Sequence, residues 1–345
     1  MSRLTPFARL LLVVAIVGGV FFGAKKFFPQ LGSKTEMPTL PQKGDYSGTT
    51  TSETAPPPAA GKTESKPTAP TGPREAFDYT APSVSNGKLK GVVELGASGF
   101  NSFIINIDAQ KHWEMKKKEF GNSLVMENMA TDDDIRIGLK KYIAGMLDYG
   151  VAGKDIHFIV SSGAMKAEVT QKIVSVLKSM NYVVNPVTPE QEARWGLKCV
   201  QPKEFSDNSF VCDIGSGNTK LAWTDGGTVK TQETFGAKYF QANTTDETVY
   251  AEIQTKANPI PASKRKTCFI IGGVPSDLAK LVRTGNERYT VLSAPAAYKV
   301  ENAKTKAGVN IYKAVADATG CKKFVFDWDA NFTLGFLLED RKSVV

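Results

Sequence analysis

The same succession of predicted strands and helices occurs twice in the C-terminal three-quarters of the 345-residue chain, and this repeat is the strongest constraint on the fold. From residue 91 the hydrophobic pattern predicts three strands, a helix, a strand, a helix and a strand. From residue 209 the order begins again with three strands, a helix, a strand and a helix. Two successive units of about 110 residues predict two α/β lobes with a cleft between them.

Both units open with the same local pattern, a strand that ends in an acid and runs into a glycine-containing hairpin. The acid is Glu94 in the first unit and Asp213 in the second. Glycine lets a backbone approach a phosphate and present N–H groups to it, and a carboxylate can hold a hydrated Mg²⁺. Each loop taken singly is also explained by a hairpin without a ligand. The predicted phosphate-binding residues are Gly96, Ser98, Gly215, Ser216, Gly217, Asn218 and Thr219, and the predicted Mg²⁺ ligands are Glu94 and Asp213.

A third feature is the helix that precedes the second hairpin. Thr188 is a good N-cap, Pro189 suits the first helical position, and Gln191 completes a capping box. Glu192 then lies in the first turn, where the positive helix end favours its ionised form. An ionised carboxylate can take a proton from water, but an ordinary solvated helix acid would look the same in sequence.

These runs resemble a known family. TPEQEARWGLKCV (188–200) followed by FVCDIGSGNTKLAW (210–223) is similar to the signature of the exopolyphosphatase and guanosine pentaphosphate phosphohydrolase family, within the actin-like ATPase superfamily. The family pattern is a Glu-Glu-Ala-Arg helix followed by Asp-Ile-Gly-Gly-Gly-Ser-Thr. The likeness continues in GVVELGAS, FIVSSGAMKAEV, TFGAKYF, FIIGGVPSDLAKL and FVFDWDANFTLGFLLED. It implies two ribonuclease-H-like (actin-like) lobes, Glu192 as general base, Lys166 as a phosphate ligand, and Mg²⁺ as cofactor.

The sequence also departs from the family pattern. Glu94 stands where the family has Asp, Ala97-Ser98 where it has Ser-Asn, and Lys166 where it has Arg, which removes a planar two-pronged donor. The resemblance therefore implies either of two functions. One is a membrane-tethered, Mg²⁺-dependent phosphohydrolase that cleaves a phosphoanhydride bond in polyphosphate or a guanosine polyphosphate. The other is a non-catalytic phosphate- or nucleotide-binding actin-like module for signalling or assembly at the membrane. A scaffold that has lost its ligand is a third reading.

The N-terminal residues predict a membrane anchor. Leu10 to Ala24 is an apolar run, and Phe21 and Phe22 argue against signal-peptide cleavage after it. Extended to Phe28, with two lysines reaching the interface, the segment suffices for a transmembrane helix. The sequence thus predicts a single-pass protein of the cell membrane, contacting the bilayer through residues 10–28, with its globular domain facing the cytoplasm.

The remaining organisation follows from composition. Residues 1–28 form the predicted anchor, 29–88 a disordered linker rich in Pro, Thr and Ser, 89–187 the first lobe, and 188–345 the second lobe with a C-terminal segment. Nothing in the sequence decides the oligomeric state, and a homodimer is one of the arrangements that it allows.

Charge and cysteine content exclude further classes. The net charge is +8, but the first 28 residues contribute four basic side chains and no acid, while the linker is neutral. The excess of +4 that remains is too small and too dispersed for a nucleic-acid groove. The four cysteines form no CxxC pair, and Cys212 and Cys268 lie in apolar strand-like runs. They predict reduced, structural thiols and favour a reducing compartment.

Overall fold

The computed structural model describes residues 75–96, 99–120, 132–165 and 168–339. Within these residues the strands are β1 Lys88–Gly96, β2 Gly99–Ile107, β3 Trp113–Phe120, β4 Ile156–Val160, β5 Val184–Pro186, β6 Ser209–Ile214, β7 Asn218–Asp225, β8 Thr228–Phe235, β9 Thr267–Ile271, β10 Tyr289–Val291 and β11 Lys323–Asp327. The helices are α1 Asp132–Asp148, α2 Glu168–Ser179, α3 Pro189–Val200, α4 Asp246–Ala257, α5 Gly273–Val282, α6 Ala303–Thr319 and α7 Phe332–Glu339.

The strands form two sheets that share one plan. The first sheet has the order β3-β2-β1-β4-β5 and the second the order β10-β11-β9-β6-β7-β8. In each, an antiparallel three-stranded meander (β1 to β3, β6 to β8) continues through parallel strands on the side of its first strand. The edge strand β10 of the second sheet is antiparallel to β11. The predicted repeat is confirmed, and β10, α6, β11 and α7 complete the second unit beyond the elements that the sequence pattern predicted.

The elements pack in five layers. Helices α1 and α2 cover the outer face of the first sheet, and α4, α5 and α6 cover the outer face of the second. Helices α3 and α7 lie between the two sheets, in a core that includes Val92 of β1 and Val211 of β6. Because side chains alternate along a strand, Glu94 points into this middle layer with Val92, and Asp213 does so with Val211.

One predicted core position of α1 is wrong. The sequence suggests a buried stripe at Ile135, Leu139, Ile143 and Leu147, but Leu147 is 46% exposed, whereas Met146 is buried. A spacing of four exceeds the helical repeat of 3.6 residues, so each step rotates the stripe by about 40°. Three steps carry Leu147 off the buried face, and Met146 takes its place.

The predicted linker and anchor fall largely outside the described residues. The linker's last part is described: Phe77 and Tyr79 pack against Phe205 and Tyr289 of the second unit, with ring centroids 5.1 to 5.8 Å apart. The ordered chain therefore reaches the second unit before it enters β1.

The predicted anchor, residues 10–28, is not among the described residues. Within 75–96, 99–120, 132–165 and 168–339, no helix is long and apolar enough to cross a bilayer. The longest, α1 and α6, have 17 residues each and carry charged side chains. Each spans about 26 Å, less than the roughly 30 Å of a hydrocarbon core. For the part of the chain that the structure describes, this finding contradicts the prediction of a single-pass protein of the cell membrane.

Candidate functional site

Helix α3 begins as its sequence predicts. The Thr188 Oγ1 accepts the Gln191 backbone N–H at 3.2 Å, and the Gln191 side chain accepts the Thr188 N–H at 2.9 Å. This reciprocal capping box needs only residues three apart, so local sequence is enough to specify it. It places Glu192 in the first turn, in the layer between the sheets.

Glu192 is not the solvated acid that the helix pattern alone would suggest. Its side chain is fully buried, with 0% exposure. One carboxylate oxygen accepts the backbone N–H of Ser162 at 2.5 Å, and the other forms an ion pair with the ammonium of Lys220. Burial raises the pKa of Glu192, and the charge of Lys220 opposes that rise. Both oxygens are thus engaged by protein groups.

Lys220 is the centre of the buried charge cluster. Its Nζ lies 3.7 Å from an oxygen of Asp213 as well as against Glu192, and the side chain is 6% exposed. Burial alone would lower the pKa of Lys220, but the charges of Asp213, Glu192 and Glu94 raise it above its usual value. The ammonium therefore stays protonated inside a group of three carboxylates.

Glu94 completes the cluster from the first sheet. One of its oxygens accepts hydrogen bonds from the side-chain amides of Asn101 and Asn331, each at 3.0 Å. Burial raises the pKa of Glu94, and the nearby charges of Glu192 and Asp213 add to the rise. Glu94 therefore belongs to the same buried charge cluster as Asp213 and Glu192.

The arrangement does not fit the predicted Mg²⁺ site. No group of three or more His, Cys, Asp or Glu side chains in the described part of the chain is placed to hold a metal ion. An oxygen of Glu94 is occupied by two amides, and Asp213 faces a lysine ammonium. Mg²⁺ requires oxygen ligands in near-ideal octahedral geometry, which these contacts do not provide.

The second hairpin touches the first unit. A Cβ built at Gly217 would lie 3.2 Å from the Cα of Gly163, in the loop after β4. Next to this contact, the Asn218 amide donates to the Ser162 Oγ at 3.0 Å and to Glu233 at 2.7 Å. The two units therefore meet directly at the glycine loop.

The predicted phosphate ligands divide between the two faces of β7. Asn218 and Lys220 share the inner face with Ala222, whereas Leu221 and Trp223 belong to the outer core. Thr219 has the parity of Leu221, so it points away from Glu192. Its hydroxyl is buried and has no hydrogen-bond partner within the described residues.

The other predicted ligands are placed as follows. Gly96 ends β1, and Gly215 and Ser216 lie in the half-buried turn between β6 and β7. Ser98 and Lys166 lie outside the described residues.

A second set of charged residues, which the sequence analysis did not single out, lies beside the same hairpin. The backbone N–H of Lys238 donates to the carbonyl of Ser216 at 3.0 Å. The Lys304 Nζ lies 3.6 Å from a Cβ built at Gly273, the first residue of α5. Burial lowers the pKa of Lys304, the charge of Lys238 lowers it further, and the charge of Asp277 opposes both effects. Lys304 thus lies at a helix N-terminus, within reach of the charges of Lys238 and Asp277.

Gly272 connects the second hairpin with the start of α5. Its φ is +113°, and a Cβ there would lie 2.2 Å from the carbonyl oxygen of Ile214, so only glycine allows the loop before α5 to pack on the end of β6. Ile214 leads directly into the hairpin. One region of the protein therefore contains the N-terminus of α5, the hairpin and the two lysines. The sequence signal for this region was the pair Gly272-Gly273 in the run FIIGGVPSDLAKL.

A cavity of about 280 Å³ opens near the start of α3. It is lined by Thr188, Pro189, Glu190, Thr231, Gln232 and Glu233. Because two of these six residues are acidic and none is basic, the cavity is poorly suited to a phosphate.

The described fold is that of the two-lobed, actin-like α/β proteins. No family profile matches the sequence, and no curated protein matches it. Solved structures do match. A Ppx/GppA enzyme of Aquifex aeolicus shares 16% identity at a TM-score of 0.55, over 74% of this chain and 100% of that one.

An exopolyphosphatase of Cytophaga hutchinsonii shares 15% identity at a TM-score of 0.56, over 72% of this chain and 96% of that one. An exopolyphosphatase-like protein shares 13% identity at a TM-score of 0.59, over 76% of this chain and 100% of that one. Similarity at this level shows the fold alone.

Proposed function

We propose that the domain binds a phosphate-bearing anion, a polyphosphate or a guanosine polyphosphate or other nucleotide, without hydrolysing it. The observation that carries the binding proposal is the position of Lys304 beside the first residue of α5, with Lys238 near it. The charge of Lys238 disfavours the charged form of Lys304, and an anion bound beside Lys304 would favour it.

The surrounding backbone also suits a phosphate. The N-terminus of α5 presents N–H groups and the positive end of a helix dipole. The hairpin that begins at Gly215 packs against this helix start through Gly272. A phosphate placed there would contact cations on one side and backbone donors on the other. The resemblance to phosphate-cleaving enzymes and the shared fold give the proposal its substrate class.

The environment of Glu192 argues against turnover. A general base must contact the water whose proton it removes. Glu192 has no exposed surface, and its oxygens are held by Ser162 and Lys220. Activating water would require Lys220 to leave and solvent to enter, which would uncover a buried charge pair.

The test combines binding and turnover in the full chain. Tripolyphosphate, guanosine tetraphosphate and ATP are added separately, and the melting temperature and phosphate release are measured. We expect each bound anion to raise the melting temperature, and no phosphate release above the no-protein control. The variant Lys304→Gln should lose the stabilisation, whereas Lys230→Gln, which removes an exposed lysine of β8, should keep it. Equal stabilisation of both variants would place the ligand elsewhere.

Phosphohydrolysis is the second candidate function, and the proximity of the charges of Glu94, Asp213 and Glu192 supports it. Release of phosphate by the wild type would support it. If Glu192→Gln then lowered the rate by about 10²- to 10⁴-fold at a temperature where the variant is still folded, Glu192 would be the base. Under the binding proposal this substitution affects stability only.

A further inference from the structure

Lys220 occupies the place where a cation is needed in the cleft. The carboxylates of Glu94, Glu192 and Asp213 converge on the layer between the sheets, and each is buried or nearly so, with 0 to 8% exposure. Carboxylates packed this closely repel one another and lose hydration, so they require a positive charge among them. The Lys220 ammonium contacts Glu192 and lies 3.7 Å from Asp213.

The position of this lysine is determined by the sheet. Lys220 pairs with Asp213 across the β6–β7 ladder, so the two side chains lie side by side on the inner face. Helix α3 brings Glu192 over the same face. A divalent ion that contacted Asp213 and Glu192 would have to occupy the volume that the ammonium already fills.

We propose that Lys220 is a built-in cation that replaces a divalent metal in this cleft, and that its removal would open a place for a divalent ion between Asp213 and Glu192. The proposal concerns the metal alone and does not depend on whether the domain binds phosphate. It accounts for the poor fit of Mg²⁺ to the described residues. It also makes Lys220 the residue that decides the metal requirement of this protein.

The test is a Mg²⁺ titration of the full chain, without any phosphate ligand, after dialysis against EDTA. Melting temperature and calorimetric binding are measured for the wild type, for Lys220→Met, and for the control Lys230→Met. Methionine keeps an unbranched side chain only one atom shorter than that of lysine and removes the charge. We expect no Mg²⁺ response in the wild type or the control. For Lys220→Met we expect a lower melting temperature in EDTA, and a rise of roughly 5–10 °C at a hundredfold excess of Mg²⁺ over its Kd.

Several outcomes overturn the proposal. Saturable Mg²⁺ binding by the wild type in the cleft, removed by Asp213→Asn, would show that Lys220 does not replace the metal. A folded Lys220→Met that ignores Mg²⁺ would show that the carboxylates cannot form a site.

A Lys220→Met variant that is unfolded in EDTA is a further outcome. In that case Mg²⁺ should restore folding, and the double variant Lys220→Met with Glu192→Gln should fold without it, because no unpaired Glu192 charge remains. If Mg²⁺ does not restore folding and the double variant also stays unfolded, Lys220 acts through packing rather than charge, and the proposal is wrong.

Discussion

The contact between α3 and α7 offers a sharp test of how closely the middle layer is packed. A Cβ built at Gly335 of α7 would lie 2.0 Å from the carbonyl oxygen of Trp195 and 2.6 Å from its carbonyl carbon. These are backbone atoms of α3, which cannot rotate away. The substitution Gly335→Ala therefore forces the two helices apart by about 1 Å or more, and both helices are confined between sheets.

The magnitude follows from two opposing effects. Overpacking a well-packed core costs about 1–3 kcal/mol and sometimes more, and rigid backbone neighbours place Gly335→Ala at the upper end of that range or beyond. Replacing a glycine inside a helix by alanine returns about 1 kcal/mol. We expect a net loss of about 2–3 kcal/mol in the free energy of unfolding.

Gly196 provides the matched control. It is a buried glycine of α3, next to Trp195, and the nearest atom to a Cβ built there is the Phe332 Cβ at 4.0 Å. Gly196→Ala gains the same helix propensity without a clash, so we expect it to stabilise the protein by about 0.5–1 kcal/mol.

Urea denaturation followed by tryptophan fluorescence measures both variants, with the slope of the transition checked for a common two-state mechanism. The two alanine substitutions should move the midpoint in opposite directions. Shifts of the same sign and similar size would refute the reasoning, because they would mean that α3 and α7 can separate at little cost.

Three further predictions concern charge and thiols. Burial raises the pKa of Glu94 above its ordinary value of 4.5. Between pH 4.5 and the raised pKa, the folded state keeps a proton that the unfolded state has lost, so the free energy of unfolding falls as the pH rises. Glu94→Gln should flatten this slope in denaturation curves measured from pH 4 to 8. Arg288 donates two hydrogen bonds of 3.1 Å to buried Asp327. A lysine can supply only one of them in that geometry, so Arg288→Lys should lower the free energy of unfolding by about 1–2 kcal/mol in the same assay. Burial raises the pKa of Cys199 to about 12 and that of Cys321 to about 11, so neither should react with a disulfide reagent at pH 8 until urea unfolds the protein; rapid labelling of the native state would contradict this burial.

Local patterns in the sequence were sufficient for several parts of this protein. The Thr188 capping box, the start of α3 and the first-turn position of Glu192 depend on residues three or four apart, whose contacts form wherever the helix forms. The repeated order of strands and helices follows from the same kind of short-range periodicity.

Other features were decided only by tertiary structure. Lys220 directly follows the predicted loop, yet its sequence position gives no sign that it neutralises Glu192, because that pairing depends on how α3 lies over the β6–β7 ladder. Asn331 donates to Glu94 across 237 residues of chain. A periodic pattern tells which face of an element is buried, but it does not identify the groups on the opposing surface. The charge and hydration of a buried carboxylate depend on those groups, so the tertiary structure determines whether Glu192 can meet water.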